Sequence, residues 1–249
     1  MKIYPVKTNK IVPSRNKNLT KILDRYLPAI KEKTIVAITS KIISLCEGRV
    51  IKLDQTNKDN LIAKEADYYI VNPSNKFSKL ILTIKNNILV PAAGIDESNV
   101  QNHYVLWPKN SQKSANDIRQ YLKQRFSLIQ VGVIITDSRT NPLRWGTTGV
   151  ALAHSGFLSL KDYIGKKDLF GKELKVSVAN VADALATAAV LEMGEADEQT
   201  PLAVIEDIPF VEFIDRNPSQ QELAQLHVGL KDPMYAPLFK KVKWTKGKK

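Results

Sequence analysis

The chain has very little cysteine: Cys46 stands alone among 249 residues. That excludes an intrachain disulfide and predicts a protein of the reducing cytoplasm. Histidine is scarce too, with His103, His154 and His227 far apart, so no zinc-binding spacing exists. No apolar run approaches the length of a membrane span, and the opening MKIYPVKTNK lacks the apolar stretch of a secretory signal. The common nucleotide motifs are missing. No G-x-G-x-x-G follows a strand pattern. Gly165-Lys-Lys-Asp-Leu-Phe-Gly-Lys172 has its glycines one residue too far apart for a phosphate-binding loop, and Glu173 stands where a magnesium-binding hydroxyl belongs. Acidic residues number 25 against 37 basic ones, a net charge of +12. With 43% hydrophobic and 25% charged residues, the chain reads as globular, with ample material for a buried core.

The positive charge is unevenly placed. KKVKWTKGKK, residues 240–249, carries six lysines and no acid, half of the net charge. Such a block predicts a solvated basic tail. The remaining charge suits either an enzyme steering phosphorylated substrates inward or a basic nucleic-acid-binding protein. The second reading rests on charge alone.

Strands and helices intersperse without a regular β-α-β alternation, which predicts a mixed α+β fold. Ile3 to Val6, Thr34 to Thr39 and Thr147 to Gly156 read as strands, and Val50 to Leu53 is a further short apolar piece. Leu80 to Val90 reads as a hairpin with Lys85-Asn86-Asn87 at the turn. Helices are expected from Asn18 to Pro28, from Lys58 to Ile70, from a cap at Ser111 or Ser114 to Phe126, and from Asn217-Pro218. Ser177 to Met193 is apolar nearly all round, so this helix should be buried on most sides. Gly194 sits where its C-terminal cap belongs. Glu192, Glu195, Asp197 and Glu198 cluster at that end, unfavourably near the negative pole of the helix, and a bound cation would remove the conflict.

Two apolar runs end in oxygen donors: Val131-Gly-Val-Ile-Ile-Thr-Asp-Ser138 and Ile88-Leu-Val-Pro-Ala-Ala-Gly-Ile-Asp-Glu-Ser-Asn99. Asp96, Asp137, Ser138 and Glu195 are hard donors of the kind that suits magnesium or manganese. By residue type alone, Asp96 and Asp137 read first as turn or helix caps. Arg144-Trp-Gly-Thr-Thr-Gly149 and the pair Ser40, Lys41 offer phosphate-binding groups, or ordinary turns.

Taken in order, a set of blocks resembles the coenzyme F420-0 γ-glutamyl ligase family. They are Thr39-Ser-Lys-Ile-Ile-Ser44 with Glu47-Gly-Arg49, Ala93 to Asn99, Val133 to Ser138, Arg144 to Val150, Asp168-Leu-Phe-Gly-Lys-Glu-Leu174, Val181-Ala-Asp183, and Met193-Gly-Glu-Ala-Asp197. The resemblance implies an α+β fold of mixed sheets and packed helices, with two intertwined subdomains. It implies one catalytic unit over residues 1–239, a homodimer, and a GTP-dependent ligase joining L-glutamate to the carboxylate of F420-0 through an acyl phosphate. Two divalent ions, Mg2+ or Mn2+, would balance the transferring phosphoryl charge. Carried over residue by residue, Asp96 and Asp137 are catalytic and hold one ion, while Ser138 and Glu195 hold the other. Ile11, Val12, Ser40, Lys41, Asn99 and the loop Met193, Gly194, Glu195, Ala196, Asp197, Glu198, Gln199, Thr200 would contact the nucleotide.

The chain departs from the family at three places. Leu45 replaces a usual lysine, the arginine after Asp137 is displaced to Arg139, and Glu198-Gln199-Thr200 replaces a glycine-rich end. These departures leave open ATP in place of GTP, a folate-type acceptor, or a nucleotide-binding pseudoenzyme.

Overall fold

The computed structural model describes residues 1–13, 18–74, 76 and 79–248. The chain runs β1 (Lys2–Val6), α1 (Leu19–Tyr26), β2 (Thr34–Thr39), α2 (Ser40–Glu47), β3 (Val50–Lys52), α3 (Lys58–Glu65), β4 (Tyr68–Tyr69), β5 (Leu82–Lys85), β6 (Ile88–Pro91) and β7 (His103–Val105). It continues α4 (Ser111–Phe126), β8 (Val131–Thr140), β9 (Thr147–Ser155), β10 (Leu160–Asp162), β11 (Val178–Asn180), α5 (Val181–Met193), β12 (Leu202–Glu206), α6 (Gln220–Gln225), α7 (Ala236–Phe239) and β13 (Thr245–Lys246).

The main sheet has the order β1-β12-β2-β8-β9. Only β2 and β8 pair in parallel within it. Their near-continuous β-branched runs bury both faces, as a parallel pair requires. Val36, Ile38, Val133 and Ile135 point towards Leu23, Ile43, Ile118 and Leu122 of α1, α2 and α4. Ile35, Ala37 and Ile134 point to the other side, against Ala182, Leu185, Ala186 and Ala189 of α5. Small side chains bring α5 close to the sheet. A Cβ on Gly149 of β9 would stand 2.3 Å from the Ala186 carbonyl oxygen.

Between β2 and β8, the described residues from 50 to 107 form a second layer. Its four-stranded sheet, β13-β4-β5-β6, and the pair β3-β7 surround Leu61, Ile62, Leu80, Tyr104 and Leu106. The architecture is therefore mixed α+β. Among the described residues no helix is long and apolar enough to cross a membrane.

Several boundaries differ from the sequence reading. The helix expected to reach Ile70 stops at Glu65, because Tyr68 and Tyr69 pair with Ile84 and Thr83. Aromatic residues favour the strand there. Asn110, not Ser111 or Ser114, caps α4 by accepting from the Lys113 N–H. Asn217-Pro218 precedes the last expected helix without starting it; Ser219 does so through a capping box with Glu222. The basic tail is not simply solvated. Thr245 and Lys246 extend the second sheet on β4, and the Lys248 N–H donates to the Ala63 carbonyl at 2.7 Å. Backbone pairing at an open strand edge outweighs the repulsion of lysines that keep their charge in water.

Candidate active site

The parallel pairing of β2 and β8 ends with Thr39 opposite Thr136. Both strands therefore release their chains at the same sheet edge, the usual ligand position in parallel arrangements. Lys41 follows β2 through the start of α2. Asp137 and Ser138 follow Thr136, where a register shift against β9 re-aims the strand. Beside them opens a cavity of about 340 Å3. It is lined by Ile11, Lys41, Asp96, Asn99, Asp137, Ser138 and every residue from Met193 to Thr200.

Asp96 reaches this cavity from the second layer. Its carboxylate accepts from the Ser98 N–H at 2.7 Å and pairs with the Lys41 Nζ at 2.6 Å. Burial opposes the charge, but Lys41 and Ser98 outweigh it and hold the carboxyl below its ordinary range. Asp137 is the opposite case. It keeps some surface on the cavity, but its carboxyl group is enclosed on the protein side. That burial pushes it up to about 7, with Asp96 adding like-charge repulsion against the hydrogen bonds from Trp107 and the Ser138 backbone. Ser138 Oγ donates to Glu195 at 3.2 Å, and Thr147 Oγ1 donates to its other oxygen at 3.3 Å.

The 193–200 loop is folded on itself. Gly194 caps α5 at φ 77°, where a Cβ would collide with the Glu198 side chain at 2.3 Å. Glu198 accepts from the Ala196 N–H at 2.8 Å, and Thr200 Oγ1 donates to the Met193 carbonyl. The Asn99 amide ties the second layer to this loop by donating to the Ala196 carbonyl at 2.7 Å.

Two expected contacts lie elsewhere. Ser40 is buried at the start of α2, and Val12 is exposed beyond Ile11; neither lines the cavity. Arg144, Trp145 and Gly146 sit at the turn of the β8-β9 arm, also away from the cavity. Sequence reasoning missed Thr8, Asn9 and Lys10, which line the wall beside Ile11, and Trp107, whose indole N–H donates to Asp137 Oδ2. The only signal for Thr8 to Lys10 was their position after a strand. Leu45 lines the wall as a buried apolar group.

Among the described residues, no three histidine, cysteine or acidic side chains converge into a finished metal cage. The donor chemistry nevertheless fits a hard divalent cation. Asp96 and Asp137 repel one another at the wall, and the Ser138 hydroxyl and Glu195 stand together beside them. Mixed sheets, a cavity at the ends of the paired strands and clustered oxygen donors mark this as the candidate ligand site of the chain.

The chain belongs to the F420-0:gamma-glutamyl ligase family, whose model matches residues 6–207. Among relatives, it is similar to the coenzyme F420:L-glutamate ligase of Methanopyrus kandleri, 37% identical over 65% of this chain and 69% of that protein. The enzyme of the same name from Methanococcus maripaludis strain C6 is 40% identical over 56% of this chain and 58% of its own. That from Methanocaldococcus jannaschii is 41% identical over 53% of each. The chain thus spans little more than half the length of the last two.

Proposed function

We propose that this chain is a nucleotide- and metal-dependent γ-glutamyl ligase that joins L-glutamate to the carboxylate of F420-0. One observation carries the reading: motifs scattered from Lys41 to Thr200 line a single cavity at the ends of β2 and β8. The relatives' names supply the reaction class.

In this reading, a nucleoside triphosphate lies along the 193–200 loop with its phosphates towards Lys41. GTP is the expected donor, and Leu45 in the wall makes ATP the alternative to compare. The acceptor carboxylate attacks the γ-phosphorus, giving an acyl phosphate and the nucleoside diphosphate. The glutamate amine then attacks the acyl carbon, and phosphate leaves as the amide forms. Asp96, Asp137, Ser138 and Glu195 would hold Mg2+ or Mn2+, whose charge offsets that of the transferring phosphoryl group. Lys41 pairs with Asp96 and stands on the phosphate side, where its ammonium can also donate to a phosphate oxygen. A second copy of the chain is the expected partner. Leu143, Trp145, Leu169 and Phe170 stand almost wholly exposed on the β8-β9 arm and the β10-β11 hairpin, as apolar groups awaiting an interface do.

The test is to incubate the purified chain with glutamate, Mg2+ or Mn2+, GTP or ATP, and either F420-0 or a folate. A product heavier by one glutamyl residue supports the ligase and identifies acceptor and nucleotide. Absence of glutamylation of both acceptors refutes it and leaves the nucleotide-binding pseudoenzyme.

A further inference from the structure

Trp107 lies just past β7, in the second layer, yet its side chain crosses to the main sheet. It is almost fully buried, packed with Ile88, Val90 and Val150. Its only polar side-chain atom donates to Oδ2 of Asp137. An indole offers one donor and no acceptor, so this bond occupies its whole polar capacity.

Three features hold the ring in that pose. The first is a slot. A Cβ on Gly94 would come within 2.2 Å of Trp107 Nε1 and 2.3 Å of Cε2, so the ring lies directly against the glycine backbone. Gly94 ends a run of three residues with positive φ, Ala92 at 49°, Ala93 at 55° and Gly94 at 69°. Two alanines in the left-handed region are held there at a cost. The buried Thr83 hydroxyl accepts from the Ala93 N–H at 2.8 Å and fixes the turn. The same turn leads directly to Asp96. The second is a cation. Lys85 Nζ sits 5.3 Å from the centre of the indole, over its face. The third is a backbone tie, from Arg49 Nε to the Trp107 carbonyl at 3.1 Å.

Glu65 joins the last two. Its Oε2 accepts from Lys85 at 2.8 Å and from Arg49 at 2.9 Å. A buried aromatic that only fills space does not need a glycine slot, a strained turn and an ion cluster aimed at its ring and backbone. An aromatic that must present one N–H to one carboxylate oxygen does.

We propose that Trp107 is a positioning residue of the active site: its indole N–H fixes the Asp137 carboxylate so that the remaining oxygen faces the cavity, and the Gly94 turn with the Glu65-Lys85-Arg49 cluster sets the indole. The consequence for ligation rests on the ligase reading above. The contact itself does not. Groups that orient a metal-binding side chain typically change affinity or activity by about ten- to a hundredfold when removed.

Trp107→Phe keeps the ring and removes the donor. The expected result is a fall of about tenfold or more in kcat and in Mn2+ affinity measured by calorimetry, with KM for glutamate nearly unchanged and melting within a few degrees of the parent. A second measurement leaves Trp107 in place. In the full chain labelled with 15N-tryptophan, three indole resonances are expected, assigned through Trp145→Phe and Trp244→Phe. Addition of Mg2+ alone should move the Trp107 resonance selectively, and Asp137→Asn should abolish that response.

If the parent ligates and binds Mn2+ while Trp107→Phe matches it in both, the positioning role is overturned and the ligase reading survives. A Trp107 resonance unmoved by saturating Mg2+ in a ligating enzyme overturns it equally, even if the phenylalanine variant does not fold. A parent that neither binds Mn2+ nor ligates removes the ligase reading and, with it, the catalytic consequence.

Discussion

His154 sits in β9 with 1% of its surface exposed and its ring tilted on Phe157, and among the described residues neither ring nitrogen has a hydrogen-bond partner. Burial pushes the imidazole down to about 4 from 6.5, with Glu222 opposing and His227 adding to the shift. The folded state keeps this ring neutral while the unfolded chain protonates it below 6.5. Stability is therefore present above that pH and is lost as pH falls towards 4. Between pH 7 and pH 5 the loss is about 2 kcal/mol from this residue. Urea unfolding at the two pH values should show it, and His154→Phe should flatten the difference. No residue-level pattern announced such a histidine, since burial is a tertiary property. The same limit hid Trp107. Asp137 was legible because it interrupts an apolar run, but the group that grips it comes from a layer whose approach no local spacing encodes. Asp96 and Glu195 stood out as hard donors at element ends, and the ordered family blocks joined them.

Most strands and helices were legible as elements because their periodicities are strong. β2 follows its β-branched run from Thr34 to Thr39, and the turn at Asn86-Asn87 has φ of 48° and 62°, as a tight hairpin demands. The failures are at ends, where a few kilocalories of pairing decide between alternatives, as at Tyr68 and Tyr69. α5 was read as buried on most sides. It buries Val181, Ala182, Leu185, Ala186 and Ala189 but leaves Leu191 exposed, because only one side meets the sheet. Its fit against β9 depends on Gly149. Gly149→Ala would force the helix outward, with an expected destabilisation of about 1–3 kcal/mol. Because Glu195 follows directly after α5, ligation should fall further than the unfolded fraction explains. Denaturant titration beside a ligation assay under native conditions separates the two effects.

At the scale of the whole molecule, the two layers are joined by chain crossings that the linear sequence does not show. The C-terminal lysines are an example. They read as a loose charge block but close the open edge of β4, and a Cβ on Gly247 would collide with the Ala66 carbonyl oxygen at 1.8 Å. Deleting residues 240–249 removes these backbone bonds, each worth about 0.5–1.5 kcal/mol net, and should lower the melting temperature by several degrees. If the charge block instead served nucleic-acid binding, the deletion would abolish a salt-sensitive affinity for RNA or DNA and leave melting unchanged. The exposed apolar groups make a separate prediction. The parent should sediment as a dimer, and Trp145→Asp with Phe170→Asp should sediment as a folded monomer.

The cavity walls come from Thr8 at one end of the chain, from Lys41, from Asp96 in the second layer, and from Thr200. Thr8 N–H donates to the Gln199 carbonyl at 2.8 Å, and Asn99 bridges to Ala196. An occupant of this cavity therefore acts as a clasp on regions that local unfolding would otherwise release separately. Under saturating nucleotide and Mg2+, heat should melt both layers in one calorimetric transition. In the ligase reading, a free nucleotide concentration a hundred times its Kd would stabilise the whole assembly by about 2.7 kcal/mol.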